Sequence, residues 1–251
     1  IKIASGVYAP DEGEIRIAGE PVKLNNPREA QEHGIATIYQ ELLLYPELSV
    51  AENIFMGHAP RTRLGAVDWP EMRRQALELL ASLNIHDMDV TRKVGLLTVG
   101  NRQRVEIAKA LSMNARVLIM DEPTAAITEA DVEQLFEIIK LLKERGVAII
   151  YISHRLHEVF EIADRVTVLR DGQYINTRPV AETTEAELIH MMVGRTIDNL
   201  FPKLDAPIGD IVLEVRDLNR RPLTRNISFH VRAGEIVGLA GLIGAGRSEL
   251  A

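Results

Sequence analysis

Two adjacent carboxylates, Asp121 and Glu122, are the clearest candidates for chemistry in this sequence. They directly follow an apolar run at 117–120, and a short apolar run with β-branched residues is typical of a strand buried on both faces. Pro123 comes next and has no N–H for a strand ladder, so the strand should end at the two acids. Open α/β sheets bind ligands at the carboxyl ends of their strands. The pair could therefore hold a metal ion or accept a proton, although a strand ending in two acids is by itself more often structural.

A glycine-rich stretch near the end of the sequence is the second candidate. An apolar run at 236–240 leads into G-x-x-x-x-G-Arg-Ser, which is the P-loop pattern with Arg247 at the position where Lys is usual. The backbone N–H groups of such a loop form a cradle for phosphate at a helix N-terminus. We therefore expect a buried strand, a nucleotide-binding loop and a helix start here. The candidate phosphate-binding residues are Gly241, Gly244, Gly246, Arg247 and Ser248, of which Ser248 should also reach Mg²⁺.

Polar residues also end two further predicted strands. Gln40 closes a β-branched run that begins at Ile35, and His154 follows an apolar run at 147–152. The carboxyl ends of parallel strands lie at one edge of a sheet, so Gln40, the acidic pair and His154 should lie near one another. Taken alone, Gln40 is more simply interpreted as a surface amide and His154 as a structural histidine.

The elements that position these residues alternate between strand and helix, which predicts an α/β fold with a parallel sheet. Thr98 is the expected N-cap of a helix after the loop at 97–101, and Ser49 with Glu52 matches a capping box. Two further helices are expected: a helix tail at 1–8 closed by Gly6, and a helix at 70–83 with Leu77, Leu80 and Ala81 on one apolar face. The sequence also predicts a fully buried strand at 147–154 and a hairpin with an Asp-Gly turn at 164–177.

Composition excludes several classes of protein. The chain has 46% hydrophobic residues, which is ordinary for a globular protein, and its net charge of −7 gives no support to nucleic-acid binding. It has no cysteine, so a disulfide framework and a thiol nucleophile are excluded. No apolar run approaches the length of a membrane span, and the sequence leads us to expect no signal peptide. Both ends fall in predicted elements, so we expect a fragment of a longer protein.

Together, these motifs resemble those of the nucleotide-binding domain of ATP-binding-cassette (ABC) proteins, which are P-loop NTPases with a helical subdomain. Gln40, LTVGNRQ, MDEP and ISH occur in the order of the Q-loop, signature, Walker B and H-loop. The resemblance implies ATP and Mg²⁺ as cofactors, with Asp121, Gln40 and Ser248 at the metal. It implies that Glu122 is the base, that His154 contacts the γ-phosphate and that Gln40 senses the permease. The signature residues that would bind nucleotide are Thr98, Val99, Gly100 and Asn101.

Longer stretches, such as SGVYAPDEGEI, IYQELLLYPELSVAENIFMG and MMVGR, resemble the ATPase subunit of bacterial monosaccharide importers of the ribose, galactose and xylose type. Two such domains are fused in that family. The resemblance implies a first ABC domain at 1–198 that lacks its first strands and P-loop, a linker at 199–210, and the start of a second ABC domain at 211–251. Its implied partners are sugar permease subunits contacted through 41–113, the second ABC domain, and indirectly a periplasmic or extracellular sugar-binding protein, with no nucleic acid. Its implied location is peripheral, on the cytoplasmic face of the bacterial membrane.

The sequence departs from the family pattern in the signature, where Thr98, Val99 and Asn101 replace Ser, Gly and Gln, and at Arg247. We expect from this two unequal sites, with most hydrolysis at the one using Glu122. Two alternatives remain open. One is a non-transport ABC ATPase that acts on ribosomes or DNA, and the other is a non-hydrolysing fragment.

Overall fold

The computed structural model describes residues 1–194, 206–220, 224–241 and 245–250. The chain forms two compact units, Ile1–Arg195 and Thr196–Ala251. The first unit contains the acidic pair, and the second contains the glycine-rich stretch. Of the predicted linker at 199–210, residues 199–205 lie outside the described residues.

The first unit alternates between strands and helices, as the sequence predicts. In chain order its elements are β1 (Ile15–Ile17), β2 (Glu20–Val22), α1 (Pro27–Glu32), β3 (Ile35–Ile38), α2 (Val50–Ile54), α3 (Trp69–Ser82), α4 (Val99–Ser112), β4 (Val117–Asp121), α5 (Glu129–Glu144), β5 (Ala148–Ile152), α6 (Leu156–Ile162), β6 (Arg165–Arg170), β7 (Gln173–Pro179) and α7 (Glu185–Val193). Short 3-10 helices cover Val94–Leu96 and Val180–Glu182.

A three-stranded parallel sheet in the order β3-β4-β5 forms the centre of this unit, which confirms the predicted parallel α/β arrangement. In register, Ile38 of β3 pairs with Met120 of β4, and Asp121 pairs with Ile152 of β5. Because the three strands are parallel, their carboxyl ends lie at one edge of the sheet. The candidate polar residues all follow these ends.

The core of the unit is centred on β4, where Leu118, Ile119 and Met120 are at most 1% exposed. Helices α4 and α5 cover it with residues such as Ile107 and Leu142, both fully buried. Burial of each such side chain contributes about 1.5–3 kcal/mol. The acidic pair is therefore attached to the most firmly packed strand of the unit.

Helix caps fix where the helices begin. Ser49 and Glu52 form the predicted capping box at α2, in which the Ser49 N–H donates to Glu52 at 2.8 Å. The hydroxyl of Thr98 accepts from the Asn101 N–H at 3.3 Å and caps α4, as predicted. Such caps each contribute about 1 kcal/mol. They set the position at which the loop at 97–101 turns into α4.

The predicted hairpin is also confirmed, since β6 and β7 pair antiparallel across an Asp171–Gly172 turn. Both turn residues have a positive φ, 54° and 77°, as a two-residue hairpin turn of this type requires. β1 and β2 form a smaller antiparallel pair.

One predicted helix end is confirmed, and one predicted helix face differs from the structure. Within residues 1–8 the chain makes one helical turn that ends at Gly6, as expected: the Ser5 N–H bonds to the Ile1 carbonyl, Gly6 has a φ of 74°, and the Val7 N–H bonds back to the Lys2 carbonyl. Helix α3 was correctly placed, and Leu80 of its predicted apolar face is buried, but Leu77 and Ala81 are exposed. The helix buries Met72, Ala76 and Leu80 at the regular i, i+4 spacing, and Leu77 is 51% exposed.

The expectation of full burial was wrong for β5. Within the described residues this strand pairs only with β4, so one side of it is not covered by another strand. Ile150 is accordingly 48% exposed. An apolar sequence alone does not tell a central strand from one at the edge of a sheet.

The second unit contains the antiparallel pair β8 (Ile211–Arg220) and β9 (Thr224–Arg232), followed by α8 (Arg247–Leu250). The expected buried strand before the glycine-rich stretch is wrong, since residues 235–240 have no regular secondary structure and Ile236 is 98% exposed. A strand buried on both faces needs neighbours, and the described part of this unit has only the β8–β9 pair as a sheet. Across both units, none of the described helices has the length and hydropathy needed to cross a membrane.

Candidate active site at the carboxyl edge of the sheet

The acidic pair lies at the carboxyl end of β4. Asp121 is the last residue of the strand, and both carboxylates are half-buried. Pro123 is buried directly behind them and ends the strand, as the sequence predicts. The side chains are thus held at the surface of a rigid strand end, where a bound ligand could reach them.

The backbone of Glu122 adopts a left-handed conformation, with φ of 47°. Its N–H donates to the Ile152 carbonyl at 2.9 Å, and its own carbonyl accepts from the Ala125 N–H at 3.2 Å. A non-glycine residue in such a region costs about 1–3 kcal/mol and is found mainly where the surroundings enforce it, often at functional sites. The strain turns the chain sharply out of the sheet immediately after Asp121.

His154 lies two residues beyond β5, and its Nδ1 is 3.3 Å from Oε1 of Glu122. The His154 side chain is 65% exposed and the Glu122 side chain 32% exposed, so the pair faces outwards. The structure therefore brings together two side chains that the sequence predicts at the ends of separate strands.

Gln40 is exposed and lies two residues after Ile38, the last residue of β3. Glu122 lies two residues after Met120, which pairs with Ile38, so Gln40 and Glu122 follow their strands at equivalent positions. Gln40 lies at the same edge of the sheet as the acidic pair, on the other side of β4 from β5. The strand ends thus present an amide, two carboxylates and an imidazole in one row.

The loop at 97–101 lies elsewhere, at the start of α4. Val99 is 40% exposed, whereas Gly100 is buried against the first turn of α5. A Cβ on Gly100 would lie 2.3 Å from Oδ1 of Asp131, so a larger residue there would require the Asp131 side chain to move. The buried Oδ1 of Asn101 has no hydrogen-bond partner among the described residues.

The glycine-rich stretch is only partly described. Gly241 and Arg247 are exposed, and Gly246 has a φ of 81°, which glycine adopts without strain. Ser248 lies in α8, and Gly244 lies outside the described residues. The predicted helix start is confirmed, and the loop that would hold a phosphate remains a prediction.

Sequence reasoning missed a polar cluster directly behind the Glu122–His154 pair. Glu158 of α6 is fully buried and accepts hydrogen bonds from the Ser153 hydroxyl at 2.6 Å and the Tyr151 hydroxyl at 2.9 Å. Its position in the amphipathic stretch at 156–162 gave no signal, because an acidic residue there is usually solvent-exposed.

The donor types at the strand ends fit a hydrated Mg²⁺ ion bound to a nucleotide. Carboxylate and amide oxygens are ligands that Mg²⁺ accepts, and it usually takes only one or two of them from the protein. In the described residues no cluster of three or more His, Cys, Asp or Glu side chains could hold a metal ion alone. A cation here would take its remaining ligands from phosphate and water.

The fold is that of a known class. Residues 1–125, which lie within the first unit, match the family model described as ABC transporter. The chain therefore has the P-loop NTPase fold of ATP-binding cassettes, and its first unit carries the match to that family.

Solved structures agree with this assignment. A dimeric ATP-binding cassette in a post-hydrolysis state, bound to ADP and Pi, superposes with a TM-score of 0.59 at 26% identity over 71% of this chain and 78% of its own. An ATP-binding cassette of an ABC transporter in its ADP conformation superposes with a TM-score of 0.62 at 25% identity, over 75% of this chain and 76% of its own.

Curated relatives match the whole chain. One from Hahella chejuensis is 52% identical and one from Agrobacterium fabrum 53% identical, each over 251 residues. Both are named for ribose/galactose/methyl galactoside import as ATP-binding proteins. The match covers 100% of this chain but only 48% and 49% of those relatives, so the chain spans about half of their length.

Proposed function

We propose that the full-length protein binds and hydrolyses ATP with Mg²⁺ and couples hydrolysis to the uptake of a monosaccharide through a membrane permease. The observation that carries the hydrolytic part is the contact of Glu122 with His154 beside Asp121 at the carboxyl edge of the sheet. The substrate class is supported by the names of relatives that are 52–53% identical over this whole chain.

The chemistry is phosphoryl transfer to water, in which positioning and charge stabilisation dominate. A bound Mg²⁺ would supply positive charge that neutralises the phosphates. Asp121 and Gln40 would hold that ion, and Glu122 would accept the proton of the attacking water. His154, with Nδ1 facing Glu122, keeps Nε2 for the terminal phosphate. The contact with His154 supports a defined position for the Glu122 carboxylate in the absence of a ligand.

The remaining nucleotide contacts come from two segments. The signature residues Thr98 to Asn101 contact nucleotide at the start of α4, where Val99 faces solvent. Gly241, Gly244, Gly246, Arg247 and Ser248 form the phosphate loop of a second ABC domain, and Ser248 is its metal ligand. We assign 1–198 to the first domain, 199–210 to the linker and 211–251 to the beginning of the second.

The segment after Gln40 is the proposed contact with sugar permease subunits. Leu43 and Tyr45 are 60% and 55% exposed, and Leu96 is 65% exposed. The stretch at 43–46 and the stretch at 95–96 lie side by side, because the Gly95 N–H donates to the Pro46 carbonyl at 2.9 Å. Exposed apolar side chains on neighbouring stretches are typical of a surface that binds another protein. Such a partner would place this protein at the cytoplasmic face of the bacterial membrane, with a sugar-binding protein acting through the permease.

The proposal is tested with the full-length protein and its permease reconstituted in vesicles. ATP-dependent uptake of labelled ribose or galactose, abolished together with ATPase activity by Glu122→Gln, is the expected result. ATPase activity that never responds to the permease, with the protein recovered on ribosomes or DNA, would favour the non-transport alternative. An absence of any ATP turnover in the full-length protein would contradict both.

A further inference from the structure

A buried carboxylate lies behind the proposed site. Glu158 of α6 is fully buried, which is rare for a glutamate unless its charge is compensated. It takes no part in the proposed hydrolysis. Its partners, however, lie in the two chain segments that carry His154 and Glu122.

The first set of partners surrounds His154. Ser153 donates its hydroxyl hydrogen to Glu158 at 2.6 Å, and its oxygen accepts from the Arg155 N–H at 3.0 Å. The residues on either side of His154 are therefore tied to one hydroxyl whose orientation Glu158 sets. Tyr151, three residues before His154, donates to the same carboxylate oxygen at 2.9 Å.

The second partner comes from the segment that follows the acidic pair. Thr124, two residues after Glu122, is only 2% exposed, and its hydroxyl is part of the environment of Glu158. Burial raises the pKa of Glu158, but the hydrogen bonds from the Ser153 and Tyr151 hydroxyls, together with the nearby Thr124 hydroxyl, outweigh it and hold the pKa below its ordinary value. The charge of Arg155, whose Nη1 lies 3.6 Å from Oε1, acts in the same direction.

An ionised carboxylate can only accept hydrogen bonds, so each hydroxyl around it must point its hydrogen inwards. This fixes the hydroxyl of Ser153 and leaves its lone pair for the Arg155 N–H. The turn at 153–155 therefore has one favoured geometry, and in that geometry His154 reaches Glu122.

We propose that Glu158 is a positioning residue that fixes the turn at 153–155 and thereby holds His154 in place beside Glu122. This inference rests on the proposed ATP hydrolysis at the same site. Glu158 does not contact the nucleotide itself. Its loss should lower the rate of the chemical step while ATP binding is retained.

The test uses the full-length protein with Arg247→Ala, so that the second P-loop is silenced. Glu158→Gln keeps the shape of the side chain but removes the negative charge that strengthens the hydrogen bonds from the Ser153 and Tyr151 hydroxyls and attracts Arg155. We expect kcat to fall between about tenfold and a hundredfold, as for a displaced catalytic group, with KM for ATP and the midpoint of thermal unfolding nearly unchanged. Glu161→Gln, an exposed carboxylate on the same helix, is the matched control and should leave kcat unchanged.

A double-mutant cycle separates positioning from a general loss of structure. If Glu158 acts through His154, Glu158→Gln should cost no further activity in a His154→Ala background. Ser153→Ala breaks the same connection without altering the carboxylate, so it should reproduce the loss and also be silent in that background. This second variant decides the question if Glu158→Gln does not fold.

The positioning role would be overturned if Glu158→Gln or Ser153→Ala lowered kcat by the same factor in the wild-type and His154→Ala backgrounds. It would also be overturned if both variants left kcat unchanged in the wild-type background. Glu122→Gln in the same assay tests the proposed function separately. If that variant hydrolyses ATP normally, the hydrolytic assignment fails; if it is inactive while the cycle is additive, only the role of Glu158 fails.

Discussion

Nδ1 of His154 lies 3.3 Å from Oε1 of Glu122, which joins the segments after two neighbouring parallel strands. The contact is largely exposed, with 65% of the His154 side chain accessible, so it contributes little to folding. We therefore interpret it as a functional contact.

His154→Ala should accordingly lower ATP hydrolysis by the full-length protein by at least about tenfold, because a group that positions the reacting phosphate is lost. The midpoint of thermal unfolding should stay close to wild type. Steady-state ATPase rates and a melting curve measure both quantities. His157→Ala, an exposed histidine in α6, is the control. A wild-type rate for His154→Ala would remove His154 from the site.

Gly100 and Asp131 give a prediction about the loop at 97–101. A Cβ at Gly100 would lie 2.3 Å from the Asp131 carboxylate, so Gly100→Ala should destabilise the first unit by about 1–3 kcal/mol through overpacking. Asp131→Ala removes the clash, and Gly100→Ala should then cost clearly less. Urea unfolding of the four proteins of this cycle measures the coupling free energy. Additive losses would contradict the close contact between α4 and α5.

Glu106 gives a prediction about pH. It is only 7% exposed, and burial raises its pKa above the ordinary 4.5, with Lys109 and the Leu43 N–H opposing the shift. A raised folded-state pKa contributes stability that is fully present below pH 4.5 and is lost as the pH rises through the folded value. Glu106→Gln should therefore raise the free energy of unfolding at pH 7 relative to wild type.

The advantage of Glu106→Gln should shrink as the pH falls towards 4.5, where wild-type Glu106 takes up its proton. Unfolding by urea at pH 7 and at pH 5 measures the difference, with the exposed Glu133→Gln as control. A Glu106→Gln protein that is less stable than wild type by the same amount at both values would contradict the prediction.

The proposed permease contact is best tested at exposed residues. Glu52 is a poor choice because it closes the capping box with Ser49, so its reversal would damage α2 itself. Glu41→Lys and Leu43→Asp change only exposed side chains. We expect both to reduce sugar uptake at least about tenfold more than basal ATPase activity, since a charge in a contact region is desolvated on binding.

Leu169→Asp, an equally exposed leucine on β6 with 64% of its surface accessible, is the matched control. It should leave uptake and ATPase activity unchanged. Parallel losses of uptake and basal ATPase in Glu41→Lys and Leu43→Asp would argue against a permease at this surface.

The sequence predicted the parts of the fold that depend on local chemistry. The capping box of Ser49 and Glu52, the Asp171–Gly172 turn and the strand leading to Asp121 were all correct, because each depends on residues within a few positions. The predictions for Ile150 and Ile236 were wrong because burial depends on which other strands lie alongside, and apolar sequence does not reveal this.

For the site, the sequence predicted that Glu122 and His154 would lie at one edge, since parallel strands align their ends. The left-handed backbone of Glu122 was not predictable, because it arises from hydrogen bonds to β5 and to Ala125. Glu158 was missed because its burial follows from the docking of α6, which no local pattern specifies.

ATP turnover by Glu122→Gln in the full-length protein, with Arg247→Ala silencing the second P-loop, tests the central claim most directly. Replacing the base by an amide of the same shape should keep ATP affinity and reduce hydrolysis by at least about a hundredfold, while the exposed Glu133→Gln stays at the wild-type rate. If Glu122→Gln retains the wild-type rate of hydrolysis, the acidic pair at the end of β4 is not the catalytic site.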